Sequence, residues 1–356
     1  MSVGYKAVQW THSKKVYDVV IVAGVLLYLA TFIIVGKIAW RGDRAISDEI
    51  LLIRALGTCA IVMLHIVLAI GPLARFFPRL SPLLYNRRHL GVATFLVAAA
   101  HGTIVLGYYH GFGRLNPFVS LLTHDADFGV ASSLPFQLFG AMALVILFIM
   151  AATSHDFWLR NLSARTWKSI HMMVYACYVL VIAHVMFGAL QAERSSLYPA
   201  LLAAGVIGVT ALHVAAGLRE RRIDKQPWAA IDQDKKGAWI DLGDCRDIPN
   251  SRARTVCVDG RPRIAVFRNG DDLCAVQSVC AHQGGPLAEG KIIDGCITCP
   301  WHGWQYRPED GRSPPPFEER ISTHRIRSRD GRLELNALPE PPGTAVPPAR
   351  LPEEMT

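Results

Sequence analysis

The chain has 356 residues, 51% hydrophobic and only 19% charged, and the apolar excess lies before residue 220, a balance unlike that of a soluble two-domain protein. A formal net charge of +8 does not point to nucleic acid, because the basic residues fall in short gaps between apolar runs rather than on one stripe. The spacing of the eight cysteines gives no reason to expect disulfides.

The first apolar run, 17 to 36, reads YDVVIVAGVLLYLATFIIVG. About twenty nearly uncharged residues at about 1.5 Å each cross a hydrocarbon core of about 30 Å. The run is too long for a signal-peptide core and has no cleavage site. Five similar runs follow, at about 50 to 71, 89 to 109, 133 to 152, 168 to 190 and 197 to 218. Six spans are expected, forming an all-α transmembrane bundle over 17 to 218 after a short amino-terminal segment, 1 to 16. Basic residues set its orientation. Lys6, Lys14 and Lys15 precede the first span, Arg75, Arg79, Arg87 and Arg88 follow the second, Arg160, Arg165 and Lys168 follow the fourth, and Arg219, Arg221, Arg222 and Lys225 follow the sixth. The alternate gaps are poorer in charge, so both termini are expected in the cytoplasm and the chain in the inner (plasma) membrane. The gap from His110 to Ser132, with His124, Asp125 and Asp127, reads as a solvated loop.

Imidazoles in hydrocarbon are costly without partners and mark function. The spans carry His65, His89, His101, His171, His184 and His213. The strongest pattern is Trp167-x3-His171-x12-His184 in the fifth span, together with RRHLGVATFLVAAAH, ending at His101, in the third. These stretches resemble the ferric-reductase-like transmembrane family, which includes NADPH oxidases and in which histidines of the third and fifth core helices bind b-type haem. The resemblance implies one or two haems. His101 and His184 are expected to form the outer bis-His pair, with His171 as an inner ligand partnered by His89 or, alternatively, His65. Thirteen helical residues separate His171 from His184 by roughly 20 Å but rotate the two rings apart by about 140° on an ideal helix. They serve different faces, or the helix is distorted. His213 reads as a helix-packing donor.

After a polar linker at 219 to 237, short β-type runs begin at Trp239: WIDL, RTVCV, RIAVF, then Asn269-Gly270 as a hairpin signal, then LCAVQ. They predict a small antiparallel sandwich. Inside it lie Cys280-x-His282 and Cys299-x-x-His302, sixteen residues apart. Zinc accepts the same four ligands. The flanks, Gly284-Gly285-Pro286-Leu287 and Pro300-Trp301-His302-Gly303-Trp304, make two tight facing loops, and with them residues 238 to 336 resemble the Rieske [2Fe-2S] domain. The resemblance implies that Cys280 and Cys299 bind one iron and His282 and His302 the other. The respiratory form carries an extra cysteine beside each loop, whereas Gly285 and Trp301 stand near those places here. The pattern is nearer to Rieske ferredoxins and the Rieske domains of ring-hydroxylating oxygenases, which implies the lower end of a range beginning at about −150 mV. Cys274 and Cys296 read as core residues. Pro314 to Pro316 are expected to cover the cluster, and a last hairpin is expected around Asp330-Gly331. The Pro-rich stretch from 337 to 356 reads as a disordered tail.

There is no dinucleotide fingerprint and no P-loop. The expected fold is therefore multidomain, a six-helix transmembrane bundle followed by an all-β sandwich, and the expected function is electron transfer between a cytoplasmic [2Fe-2S] cluster and intramembrane b-type haem. A cytoplasmic ferredoxin or flavin reductase is the expected donor, and a quinone or an extracytoplasmic group the acceptor, with membrane lipid as the surroundings. Two alternatives remain, a membrane-bound oxygenase component and a membrane-anchored redox sensor without haem. No catalytic acid, base or nucleophile is identified.

Overall fold

The computed structural model describes residues 12–40, 45–123, 136–192, 195–225, 239–258, 261–282, 284–301, 303–315, 317–329 and 332–351. The chain divides into two compact units. One comprises His12–Leu73 and Asn86–His213, and the other takes in Ala74–Tyr85 and everything from Val214 onward.

Among the described residues, nine α-helices run in order: α1 (His12–Ala39), α2 (Asp48–Phe76), α3 (Ser81–Val105), α4 (Pro117–Thr123), α5 (Phe136–Thr153), α6 (Asp156–Asn161), α7 (Ala164–Met172), α8 (Val174–Phe187) and α9 (Leu197–Lys225). Six stretches are long and apolar enough to cross a membrane: Lys14–Ala39, Asp48–Phe76, Asn86–His110, Phe136–Thr153, Arg165–Gln191 and Leu197–Arg222. Leu27, Val179 and Ile207 point large apolar side chains outward, as helices in hydrocarbon do when no polar face is needed. Interior contacts are narrower. Leu64, Leu68, Tyr178 and Val209 join α2, α8 and α9, and Ala143, Leu147 and Cys177 join α5 to α8.

Two helices depart from regularity. The end of the third span relaxes into a π-turn over Leu106–His110, which turns His110 inward between Ser120 Oγ (2.9 Å) and Gln137 Oε1 (2.7 Å). The fifth span is broken at Met173 (φ −63°, ψ −10°), between α7 and α8. The ideal-helix rotation between His171 and His184 therefore does not apply, and of the two expectations the distorted helix is the one found. At its amino end, α7 is capped by Ser163, whose Oγ accepts from Thr166 N–H.

Among its described residues the β domain has eleven strands: β1 (Trp239–Asp241), β2 (Ala253–Val256), β3 (Ile264–Asn269), β4 (Asp272–Gln277), β5 (Lys291–Ile293), β6 (Cys296–Thr298), β7 (Gln305–Tyr306), β8 (Thr323–His324), β9 (Ile326–Arg329), β10 (Arg332–Asn336) and β11 (Ala349–Arg350). They form three antiparallel sheets, ordered β1-β10-β9, β11-β4-β3-β2 with β8 also on β4, and β5-β6-β7. One core, with Ile240, Val266, Leu273 and Leu335, does not include Cys280 or Cys299. A second, with Phe267, Ile297, Trp304 and Tyr306, surrounds Cys280 and Cys299. Cys296 is buried and Cys274 packs against this second core, as their sequence context predicts.

The β3–β4 hairpin forms where Asn269-Gly270 signals it, but Asn269 pairs with Asp272, so the turn residues are Gly270 (φ +63°) and Asp271. The β5–β6 turn is Asp294-Gly295, with both φ values positive (51° and 76°), the geometry that a two-residue hairpin requires. The last hairpin, β9–β10, also forms, although its turn lies outside the described residues.

Two segment assignments need correction. The stretch from 337 to 351 is ordered: Glu340 N–H donates to the Thr323 carbonyl, β11 pairs with β4, and Leu351 is buried in the first core. Its proline content does not prevent this, because a sheet edge asks little of the added chain beyond two ladder residues and an apolar anchor. The linker expected from 219 begins as helix, since α9 continues to Lys225; residues 226–238 lie outside the described part.

Candidate functional site

The two cysteine loops of the β domain are built alike. In each, the N–H of the glycine four residues after the cysteine donates to the cysteine carbonyl: Gly284 to Cys280 (2.8 Å) and Gly303 to Cys299 (2.9 Å). In each, the cysteine N–H donates to the carbonyl five residues on, that of Gly285 (2.9 Å) or Trp304 (2.8 Å). Both loop glycines adopt φ near +70°, which side-chain-bearing residues avoid. The loops face each other closely, for a Cβ on Gly285 would meet Cys299 Sγ at 2.6 Å and the Trp301 indole at 3.2 Å. Thus the positions that carry an extra cysteine pair in the respiratory form hold here a glycine under an indole.

Cys280 and Cys299 are buried, with 2% and 1% exposure. The Tyr306 hydroxyl lies 3.2 Å from Cys280 Sγ and accepts from the His282 N–H at 3.2 Å. Burial first, and the neighbouring Cys280 second, push the Tyr306 phenol far above its ordinary range, so it stays a protonated donor. The His282 ring stacks on Trp304 (4.0 Å between centroids, 1° between planes), and Trp304 Nε1 donates to Ser313 Oγ. The His282 Nδ1 atom is buried and makes no hydrogen bond among the described residues, as a metal-binding nitrogen in a protein interior does. Among the described residues, no three His, Cys, Asp or Glu side chains converge on one point. His302 lies outside the described residues, as does Pro316 of the covering loop. The residues present thus fit a [2Fe-2S] cluster.

In the helical unit, the histidines separate by where Nδ1 is anchored. His65, His171 and His213 each donate Nδ1–H to the carbonyl four residues back in their own helix, at Ile61, Trp167 and Val209. His101 and His184 instead reach another helix. His101 Nδ1 donates to the Ile53 carbonyl of α2 (3.0 Å) and His184 Nδ1 to the Phe136 carbonyl of α5 (2.8 Å). In both cases the residue four positions after that carbonyl is a glycine against the ring. A Cβ on Gly57 would stand 3.0 Å from His101, and one on Gly140 would stand 2.8 Å from His184. The two imidazoles face each other at 6.3 Å between centroids and 78° between planes. Fixing Nδ1 as the donor presents Nε2 as a lone pair, the arrangement that orients an axial imidazole toward a metal. This donor set fits a haem iron.

The other candidates are placed differently. His171 stacks on Trp167 (3.8 Å), and its Nε2 lies 3.2 Å from Ser154 Oγ. The single hydroxyl hydrogen of Ser154 is also offered to the Met150 carbonyl (2.8 Å), so Nε2 has no dedicated donor. His89 Nδ1 meets Asp18 Oδ1 at 2.7 Å. No ring contact joins His171 to His89 or to His65 among the described residues. His65 is committed at both nitrogens, with Tyr178 OH at 3.0 Å from Nε2, and a Cβ on Gly205 would come within 2.5 Å of it. In this arrangement it packs α2 against α8 and α9. The features that sequence reading missed are Tyr306, Asp18 and the carbonyl–glycine seats at Ile53/Gly57 and Phe136/Gly140. Only the glycines left a trace in the sequence, as small residues inside apolar spans.

Taken together, fold and site define a membrane electron-transfer protein, with a haem-binding helical part and an iron–sulfur β domain. A family model described as Rieske [2Fe-2S] domain matches residues 238–322, and one described as ferric reductase like transmembrane component matches 56–182. The chain is 39% identical over 80 residues to the anthranilate 1,2-dioxygenase ferredoxin subunit of Burkholderia cepacia, covering 22% of this chain and 74% of that protein. It is 32% identical over 173 residues to the protein-methionine-sulfoxide reductase heme-binding subunit MsrQ of Ralstonia nicotianae, covering 48% of this chain and 74% of that subunit. With cholesterol 7-desaturase nvd of Xenopus laevis it shares 38% identity over 80 residues, and it spans only 17% of that protein. The chain belongs to the ferric-reductase-like transmembrane family in its first part and to the Rieske [2Fe-2S] family in its second.

Proposed function

We propose that this protein passes electrons between its β domain, on the cytoplasmic side of the inner (plasma) membrane, and the interior of its helical bundle, and from there to a quinone or an extracytoplasmic acceptor. The cluster and the haem supply the one-electron chemistry when bound, and the chain's residues position and insulate them. Cys280, Cys299, His282 and His302 are the cluster ligands in this reading. His101 and His184 hold a b-type haem, and His171, with His89 as its nearest candidate partner, marks a second haem position. A cytoplasmic ferredoxin or flavin reductase is the donor.

The observation that carries this reading is the facing pair His101 and His184, each anchored to a carbonyl of a different helix beside a glycine. Such seats are costly inside an apolar bundle and serve no packing need that an aliphatic residue would not meet better. Purified protein should give a pyridine haemochrome of b type and, when reduced, a Rieske-type electron paramagnetic resonance signal. Replacing His101 or His184 with Ala should remove the low-spin haem and leave the Rieske signal, while Cys299→Ser should do the reverse. Retention of full low-spin haem by both histidine variants, or recovery of zinc without iron, would overturn the assignment.

A further inference from the structure

Four charged residues that the electron-transfer reading does not use lie together in the unit holding the β domain. Arg75, in the last turn of α2, pairs with Glu289 at 3.2 Å, and Glu220, in the last turns of α9, pairs with Arg263 at 2.5 Å. We propose that the face of the β domain beside the Cys280 loop is an intramolecular docking surface, held on the ends of α2 and α9 by these two ion pairs, and that electrons enter or leave the domain there. The proposal rests on the electron-transfer reading and adds where the two parts of the chain meet for it.

The two β-domain charges adjoin the cluster loop rather than an arbitrary edge. Arg263 precedes β3, and its carbonyl accepts from Ser278 N–H at 2.9 Å. The Ser278 carbonyl in turn accepts from Leu287 N–H at 2.7 Å, and Leu287 opens the short 3-10 turn that ends at Glu289. Ser278 stands two residues before Cys280. Both pairs therefore grip the shoulder of the loop that presents the first cluster ligands.

Opposite polarity makes the pairs a register device. The α2 end contributes a cation and the α9 end an anion, so a domain turned half a revolution would set like charge against like. The two helix ends act as one platform. The Arg219 guanidinium of α9 lies over the Phe76 ring (5.5 Å) and donates to the Arg75 carbonyl, one of the groups that a helix end leaves unsatisfied. Isolated exposed ion pairs hold little, but these four side chains keep only 22% to 35% of their exposure and share one platform. The four charges are positioning residues. Because they remain partly solvated, salt should weaken the dock.

Proximity is tested first, in the full chain in native membranes, without reference to electron flow. Arg75→Cys with Glu289→Cys should form a disulfide on mild oxidation at least about tenfold faster than Arg75→Cys with Arg332→Cys, since docking raises the effective concentration of the paired thiols. Equal rates would overturn the dock. In the holoprotein, flash photoreduction should then show cluster-to-haem transfer slowed about tenfold by Glu289→Arg at low ionic strength. Combining it with Arg75→Glu should restore the rate to within about threefold, a rescue that mere misfolding would not give. Rapid cross-linking with transfer indifferent to charge reversal would leave the dock standing and overturn the route through it. A wild type that cross-links but transfers no electron to haem would instead overturn the underlying electron-transfer reading.

Discussion

At the scale of single residues, the β-domain site turns on atoms that no motif names. Tyr306 completes the surroundings of Cys280 from β7, which lies beyond the second ligand loop. A hydroxyl donating to a cluster sulfur stabilises the more negative, reduced form and raises the potential. Tyr306→Phe should therefore lower the midpoint potential by an amount on the order of tens of millivolts without loss of iron, checked by a redox titration followed through the reduced-cluster signal. Gly285 has the opposite character, for in this chain, where Trp301 rather than a second cysteine packs against it, its substitution should weaken assembly rather than tune the potential. The Cβ of Gly285→Ala would stand 2.6 Å from Cys299 Sγ, between two tight loops with little room to give. Iron and sulfide content of the purified variant should fall severely while the haem remains. Sequence reading singles out the cysteine and histidine pairs, because their spacing is local. It does not find Tyr306, because a phenol reaching back twenty-six residues is a tertiary contact.

At the scale of elements, β8 carries a buried titratable group. His324 is 5% exposed, and its Nδ1 donates to the Asn336 carbonyl at 3.0 Å, tying β8 to the end of β10. Burial holds the imidazole pKa below its ordinary value; the carbonyl bond opposes this and Arg261 adds to it. The unfolded chain binds a proton on this ring from about pH 6.5 downward and the folded domain does not. Stability from this group is thus complete above about pH 6.5 and lost as the pH falls below it, until the depressed folded value is reached. Thermal bleaching of the cluster should come at a lower temperature at pH 5.5 than at pH 7.5, and His324→Gln should flatten that difference. The six long helices were legible, since apolar runs near twenty residues admit few other structures, but α4 was not, for Pro117–Thr123 lies in the gap read as a solvated loop. The break at Met173 and the π-turn at Leu106–His110 were not, because neither contains the proline that usually announces such a departure.

At the scale of the whole molecule, the proposed orientation rests on the lysines and arginines at the ends of alternate spans. A reporter fused after residue 236 should be active only in its cytoplasmic form. Activity of an extracytoplasmic reporter there would place the β domain on the other side and require a different donor. The prediction does not depend on the cofactors, so it separates an error of topology from an error of site.

The sequence by itself determined the two-part plan, the six apolar spans, the Rieske-type β domain and the short list of intramembrane histidines, because hydropathy, turn residues and the spacing of cysteine and histidine are each written within a few residues. Tertiary structure decided how each of these histidines is anchored. His65, His101, His171 and His184 are alike in sequence, and they differ in whether Nδ1 turns to its own helix or crosses to another, where a glycine makes room for the ring. It also drew residues 337 to 351 into the β domain, where composition alone favours a disordered tail. In both cases the deciding contact lies dozens of residues away along the chain. A hydrogen bond or a ladder pair at that separation leaves no periodicity to read.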